Sequence, residues 1–176
     1  MTPEFPRPHR LDQIGTVETN VEIEARPEEC AALARRFDLV AIERLRARFT
    51  LRRAATGFLA TGHLSSAVTQ SCGVTGDPLP ATIEEDFAIR FLPEPGEDET
   101  HDDIELAEEE MDTVFYAGSA LDLGEAAAET LALALDPFPR SPAAAEALRE
   151  AGVISEEEAA PLSPLAAALK GKLQKK

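Results

Sequence analysis

The chain has 176 residues, 44% of them hydrophobic, which suits a single domain with one core. Its 33 acidic and 17 basic residues give a formal net charge of -16, which excludes uniform wrapping by nucleic acid because phosphates bind cations. The sequence has no apolar run long enough to span a bilayer and no signal-peptide core near Met1, so we expect a cytoplasmic protein with no membrane partner. Cys30 and Cys72 are too few for a disulfide framework and are expected to be buried thiols.

The first predicted elements are a strand and a helix. At residues 17–23 the odd positions are β-branched and the even positions are polar, a period of two that is typical of a half-buried strand. Pro27 suits a first helical turn, and the apolar residues that follow it recur at the spacing of one helical face. We therefore expect an amphipathic helix over residues 27–37.

Three strands in succession are predicted next. Residues 43–53 alternate between apolar and polar side chains. Residues 58–72 are rich in strand-forming residues, and residues 83–91 alternate again after a turn-forming stretch. Because the connections are short, we expect these strands to pair antiparallel.

A strongly acidic segment follows. Residues 93–112 contain eleven carboxylates, one histidine and no lysine or arginine. Self-repulsion and low hydrophobicity predict a solvated, disordered loop that is inserted within an α+β domain spanning residues 1–140.

The C-terminal part of the chain is predicted to be mainly helical. After a short strand at 113–116, Asp122 is a candidate N-cap for a helix that runs to about residue 135 and ends before a proline-rich stretch. Residues 141–176 are expected to form a helical extension, which carries all four lysines of the chain in its last seven residues as a basic tag.

These elements together predict an α+β fold. We expect a twisted antiparallel sheet, or a partly closed β-barrel, of four to six strands that is packed by two main helices. The long acidic loop and the helical tail are additions to this core.

A row of arginines on the 43–53 strand is the strongest chemical feature. Residues two apart on a strand are about 6.5–7 Å apart, which is close to the spacing of consecutive phosphates, and guanidinium groups bind phosphate in a bidentate manner. The row is therefore a candidate RNA surface, but it is also typical of a solvated face paired with carboxylates of a neighbouring strand. The RNA-binding candidates are Arg44, Arg46, Arg48, Arg52, Arg140, Lys170 and Lys172.

The sequence has no recognised catalytic or metal-binding pattern. His9, His63 and His101 are far apart along the chain, the serines lack a nucleophile elbow, and there is no phosphate-binding glycine loop. The acidic segment lacks the alternating ligands and glycine turn of a calcium loop. We expect a protein that is not an enzyme and that uses no metal and no cofactor.

Several motifs are shared with a known family. They are QSCGVT at residues 70–75, LDLGE at 121–125 and LALALDPFPR at 131–140, followed by SPLAAALK at 163–170. In this order and spacing the motifs resemble the YceD family, the bacterial and plastid large ribosomal RNA subunit accumulation proteins. The family-motif residues are Gln70, Cys72, Asp122, Leu123, Gly124, Glu125, Asp136, Pro137, Pro139 and Arg140.

The resemblance implies a non-enzymatic role in the synthesis, processing or stability of large-subunit ribosomal RNA, and hence in ribosome biogenesis. The implied partners are that RNA or its precursor and a ribosomal protein, with no role for DNA. Some family members carry C-x-x-C in the first motif, which could bind zinc with a second cysteine pair. Here Thr75 occupies the second cysteine position, so the four ligands of a structural zinc site are incomplete.

Two functions remain open from the sequence. The first is contact with RNA or a ribonucleoprotein through the arginine face. The second is a protein-interaction adaptor or assembly chaperone whose acidic loop binds a basic ribosomal protein. Most motif residues also suit a structural role, because Asp122 can cap a helix and Gly124 permits close approach, whereas Arg140 is expected to be exposed.

Overall fold

The computed structural model describes residues 3–94 and 112–153. The strands in these ranges are β1 (Pro8–Arg10), β2 (Thr19–Glu24), β3 (Ala41–Arg53), β4 (Phe58–Ser71), β5 (Pro78–Pro93), β6 (Asp112–Tyr116) and β7 (Ala120–Asp122). The helices are α1 (Pro27–Arg36), α2 (Leu123–Ala134) and α3 (Ala144–Glu150), and a 3-10 turn spans Leu11–Gln13. Most of the predicted acidic loop, residues 95–111, and the tail after Val153, with Lys170 and Lys172, lie outside the described residues.

The main sheet has five strands in the order β2-β3-β4-β5-β6. The first four pair antiparallel, as expected for β3, β4 and β5 from their short connections, whereas β6 pairs with β5 in parallel. In the part of the chain that the structure describes, the edge strands β2 and β6 are not paired with each other, so the sheet is open. The predicted α+β class is confirmed, with a mixed sheet in place of an all-antiparallel one. The long connection between β5 and β6 permits the parallel pairing, which a tight hairpin does not.

One face of this sheet carries the core. Alternate residues of β3 and β4 are buried because a strand directs successive side chains to opposite faces. The apolar faces of α1 and α2 contribute to the same core, and Leu33 and Leu131 are completely buried. Phe49 and Phe87 pack with their ring centroids 4.9 Å apart. The other face of the sheet carries polar side chains.

The N-terminal segment forms a second, two-stranded sheet that the sequence patterns do not predict. β1 pairs antiparallel with β7, and the preceding Phe5 is buried. The Arg7 N–H donates to the Asp122 carboxylate at 2.9 Å, and the Leu123 N–H donates to the Arg7 carbonyl at 3.1 Å. Strands of three residues are too short to show a period, which is why this sheet leaves no signal in the sequence.

Several predicted boundaries shift in the structure. β2 begins at Thr19 instead of residue 17, because Val17 is exposed to solvent before the strand pairs. β5 begins at Pro78, five residues earlier than the predicted 83, because its first half pairs with the end of β4. α2 begins at Leu123, directly after its cap, and α3 is a short helix at the start of the predicted extension.

Candidate functional site

The predicted arginine strand is β3, and its arginines lie on the polar outer face of the sheet. Two of them are paired with glutamates directly across on β2: Arg46 Nε lies 3.0 Å from Glu24 Oε1, and Arg48 Nε lies 3.6 Å from Glu22 Oε1. The Glu24 carboxylate raises the pKa of Arg46. The side chains of Arg46 and Arg48 are 49% and 76% exposed, so these ion pairs contribute little to stability. Another anion can therefore take the place of either glutamate.

The other two arginines of the row are placed differently. The Arg44 guanidinium donates to Ser65 Oγ at 3.4 Å, and within the described ranges no carboxylate lies at salt-bridge distance from Arg44 or Arg52. Arg52 lies across Leu59 from Arg90 of β5, so two guanidinium groups occupy this end of the outer face. In the described ranges, Arg46 and Arg48 are therefore paired with carboxylates of the neighbouring strand, whereas Arg44 and Arg52 are not, and contact with RNA stays a prediction.

His63 of β4 joins this face to two acidic residues of β5. Its Nδ1 lies 2.7 Å from Asp86 Oδ1, and its Nε2 lies 2.8 Å from Glu84 Oε2. Ser65 Oγ donates to the other oxygen of Glu84 at 2.7 Å. Carboxylates only accept hydrogen bonds, so both ring nitrogens are satisfied together only when the imidazole carries two protons. Asp86 and Glu84 accordingly raise the pKa of His63.

We expect this bridge to stabilise the fold below neutral pH and to weaken in alkaline solution. A folded-state pKa above the unfolded value of about 6.5 gives stabilisation that is complete below that value and is lost as the pH rises through the folded-state pKa. The difference in Tm between the protein and a His63→Gln variant should therefore shrink from about pH 6 to about pH 9. Thermal denaturation across this range, with the Glu84→Gln and Asp86→Asn double variant as control, measures it. A difference that does not change with pH would contradict the bridge.

A pocket of about 250 Å³ opens on this outer face. It is lined by Glu22, Arg44, Arg46, Ala47, Arg48, His63, Ser65 and Glu84. Three guanidinium groups and an imidazole around one pocket provide the donors that a phosphate needs. The two carboxylates that line the pocket, Glu22 and Glu84, already bind side chains of the neighbouring strands. An incoming anion would therefore compete with them for the same donors.

The first and third family motifs meet at the end of β4. The Gln70 side-chain amide donates to the Asp136 carbonyl at 2.9 Å, and the Gly73 N–H donates to the Pro139 carbonyl at 2.9 Å. These bonds fix the exit from α2 on both sides of Phe138. Arg140 follows the fixed segment and is exposed, as predicted.

Cys72 is the centre of this junction. Its Sγ accepts hydrogen bonds from the Ser141 N–H at 3.2 Å and from the Thr75 N–H at 3.4 Å. Hydrogen bonding by Thr75 and then by Ser141 lowers the pKa of the buried Cys72 thiol to about 6. The Thr75 hydroxyl lies 2.6 Å from Asp77 Oδ2 and 3.2 Å from Ser141 Oγ.

These residues do not fit a structural zinc site. Such a site uses four thiolate or imidazole ligands, whereas this junction offers one thiol and hydroxyl groups that are already hydrogen-bonded to each other. Cys30 of α1 is buried, and its thiol contacts the carbonyl oxygen of Ala25, which precedes the helix. Over residues 3–94 and 112–153, no group of three or more histidine, cysteine, aspartate or glutamate side chains is arranged to hold a metal ion.

The second motif builds the start of α2. The Asp122 carboxylate accepts from the N–H groups of Gly124 and Glu125 at 3.0 and 3.2 Å, so the predicted N-cap is present. Glu125 pairs with Arg36 of α1 at 2.6 Å instead of completing a capping box. The geometry of this motif is therefore that of fold maintenance.

Sequence reasoning missed one buried ionic cluster. Glu29 of α1 is 3% exposed and accepts hydrogen bonds from the guanidinium groups of Arg7 and Arg26 and from the Arg26 N–H. These donors, Arg7 foremost, hold the pKa of Glu29 well below its usual range. Arg7 lies 22 residues from Glu29 in the chain, so no local sequence pattern indicates this cluster.

The chain can be compared with curated proteins, solved structures and protein families. No curated protein and no solved structure matches the chain. None of the described helices is both long and apolar enough to cross a membrane. One family does match, described as "Large ribosomal RNA subunit accumulation protein YceD", over residues 60–171, a range that includes the motifs at the Cys72 junction and at the start of α2. Because this match covers more than half of the chain, the protein belongs to the YceD family.

Proposed function

We propose that this protein supports the accumulation of large-subunit ribosomal RNA, as a non-enzymatic factor that contacts RNA or ribonucleoprotein phosphates through the outer face of β3. The family description names the accumulation of this RNA. The observation that supports contact with phosphates is that Arg44, Arg46 and Arg48 line one pocket. Arg140, which is exposed, and Lys170 and Lys172, which lie outside the described residues, are further candidate contacts.

The energetics of the face suit a reversible contact. The ion pairs of Arg46 and Arg48 are exposed, and solvent screening leaves exposed pairs with little net stabilisation. A phosphate that binds a guanidinium in a bidentate manner can therefore replace the glutamate. The same glutamates weaken binding to any single phosphate, so affinity should depend on several contacts along an RNA strand.

The test is RNA binding by an Arg46→Gln and Arg48→Gln double variant. We expect weaker binding to a fluorescein-labelled fragment of large-subunit ribosomal RNA, and a salt dependence whose slope is smaller by about 1.4–1.8, since each lost phosphate contact removes about 0.7–0.9. Fluorescence anisotropy at several salt concentrations measures both quantities. Arg35→Gln with Arg149→Gln is the matched control, because both residues are exposed and lie on helices, outside the arginine row of β3. Equal losses in the two double variants would contradict a contact located on β3.

A second variant should change the affinity in the opposite direction. Replacing Glu22 and Glu24 with glutamine removes the competing carboxylates while leaving the arginines in place. We expect this variant to bind the same RNA fragment about fivefold more tightly. No gain would mean that the arginines do not contact phosphate.

The adaptor function is the second candidate. The net charge of -16 and the pairing of Arg46 and Arg48 with glutamates favour a basic protein partner, for which the carboxylates of residues 93–112 are the candidate surface. Ultraviolet crosslinking in growing cells separates the two functions. Enrichment of large-subunit RNA precursors that is lost in the Arg46→Gln and Arg48→Gln variant supports RNA contact, and RNA at background level supports the adaptor.

A further inference from the structure

We infer that a cleft between the C-terminal ends of α1 and α2 binds a protein partner through a segment that combines lysine or arginine with apolar side chains. This cleft shares no lining residue with the pocket on the arginine face. Its volume is about 340 Å³, within the range of about 300–1,000 Å³ that is typical of ligand pockets. It is lined by Phe37, Asp38, Leu39, Gln70, Ser71, Ala132, Leu135, Asp136, Pro137 and Pro139.

Part of the cleft wall is apolar, and large apolar side chains lie next to it in the chain. Phe37, Leu39 and Leu135 pack at the edge of the core, and two prolines complete the wall. Large apolar side chains that are adjacent in the chain to lining residues are exposed: Val40 at 57%, Leu133 at 78% and Phe138 at 77%. Val40 and Phe138 directly flank lining residues of this cleft, whereas Leu133 lines a separate pocket beside β5.

Phe138 is presented in a fixed position. Its N–H donates to Asp136 Oδ1 at 2.9 Å, and the carbonyl groups on either side of it, those of Asp136 and Pro139, are hydrogen-bonded to Gln70 and Gly73. An aromatic side chain on a fixed backbone loses little conformational freedom on binding, which is the property of an anchor residue at an interface.

The charge of the cleft selects the partner. Asp38 and Asp136 are its only charged lining residues in the described structure, and both are acidic. The cleft also lies at the negative ends of two helix dipoles, since α1 ends at Arg36 and α2 at Ala134. The last turn of α2 contains no basic residue. In the last turn of α1, Arg36 is paired with Glu125 and Glu4, and Arg35 is exposed and does not line the cleft. The acidic lining therefore favours a lysine or arginine over a phosphate, and a basic protein segment over RNA.

The test uses two synthetic peptides of equal positive charge, one in which lysine alternates with leucine and one in which serine replaces leucine. Each is labelled with fluorescein and titrated with the full-length protein at about 150 mM salt, where remote charges are screened. We expect the leucine peptide to bind about tenfold more tightly, because only its side chains can pack against the apolar part of the cleft wall. Phe138→Ala, a change at an exposed side chain, should weaken the leucine peptide alone.

Charge variants locate the binding. Asp38→Asn and Asp136→Asn together should weaken the leucine peptide about tenfold. Asparagine retains the oxygen that accepts the Phe138 N–H, and it tolerates the left-handed backbone of residue 38, where φ is 55°. The matched control, Glu18→Gln with Glu28→Gln, removes the same charge at exposed sites elsewhere and should change the affinity by less than about twofold.

Four results would overturn the inference. The first is equal affinity for the two peptides, or no binding at about 1 mM. The second is equal weakening by the two charge-removing double variants, which would indicate attraction to the total charge alone. The third is displacement of the peptide by an RNA fragment, which would place nucleic acid in the cleft. The fourth is binding only after Leu165→Ser and Leu169→Ser, which would mean that the chain fills the cleft with its own C-terminal residues.

Discussion

Replacing Glu29 with alanine is expected to lower the free energy of unfolding by about 3 kcal/mol, because it removes the anion from a buried ionic cluster. The carboxylate accepts four hydrogen bonds, two from the Arg7 guanidinium and two from Arg26. The Arg7 side chain, which is 25% exposed in the intact protein, lacks its counter-charge when the carboxylate is removed. Arg7 also anchors the N-terminal segment to Asp122 at the start of α2, so the loss should extend to that contact. Urea denaturation followed by circular dichroism measures the change.

The adjacent Glu28 provides the control. Its side chain is 67% exposed and lies 3.3 Å from Arg26, so Glu28→Ala should cost no more than about 0.5 kcal/mol. Equal losses at the two positions would contradict the role of the buried cluster.

The contribution of Glu29 also predicts a pH dependence. The Arg7 and Arg26 donors depress the folded-state pKa of this carboxyl, so its contribution is present above the unfolded value of about 4.3 and is lost as the pH falls below it. The stability difference between the protein and a Glu29→Gln variant should therefore narrow from about pH 5 to about pH 2. A difference that widens on acidification would have the wrong sign for a stabilised carboxylate.

Gly124→Ala is the second substitution with a large expected effect. A methyl group at this position would overlap the backbone carbonyl of Phe5, and a backbone group cannot move aside as the end of a flexible side chain can. The N-terminal segment would have to shift, which weakens the burial of Phe5 and the hydrogen bond from the Leu123 N–H to the Arg7 carbonyl. We expect a loss of about 3 kcal/mol, at the upper end for overpacking. Thermal and urea denaturation test this.

Gly15→Ala is the matched control for Gly124→Ala. It also lies in the N-terminal part of the chain, but a methyl group there meets only ordinary van der Waals contacts, so the change should be less than about 0.5 kcal/mol. Combining Gly124→Ala with Glu29→Ala should cost less than the sum of the single variants, because both release the same segment. Strict additivity would indicate that the segment is not shared between the two sites.

The elements that were predictable from the sequence are those with a strong local period. The outer and inner faces of β3 follow directly from the alternation at residues 43–53, and the cap of α2 follows from Asp122. The burial of Cys30 and Leu33 follows from helical spacing in the same way. In each case the pattern and the contact lie within the same element.

The features that were not predictable depend on contacts between distant residues. The pairing of Arg46 with Glu24 requires the register of β2 against β3, which neither strand specifies alone. His63 gains its two carboxylates only because β5 lies beside β4 in one particular register. The cleft between α1 and α2 likewise forms where residues about a hundred positions apart in sequence come together. A local period carries no information about such contacts.

The parallel pairing of β6 sets a minimum length for the acidic segment, whatever its composition. Asp112 lies level with Ile89, four residues before β5 ends at Pro93, so the chain must travel back about 13 Å along the sheet as well as across to the next strand. Removing residues 94–110 would leave only Met111 to make that return, which is shorter than a parallel connection allows. Loop-shortening experiments would therefore detach β6 from the sheet before they reveal what the carboxylates do. Replacing the acidic residues with serine and glycine at constant length would separate the role of the charge from the role of the tether.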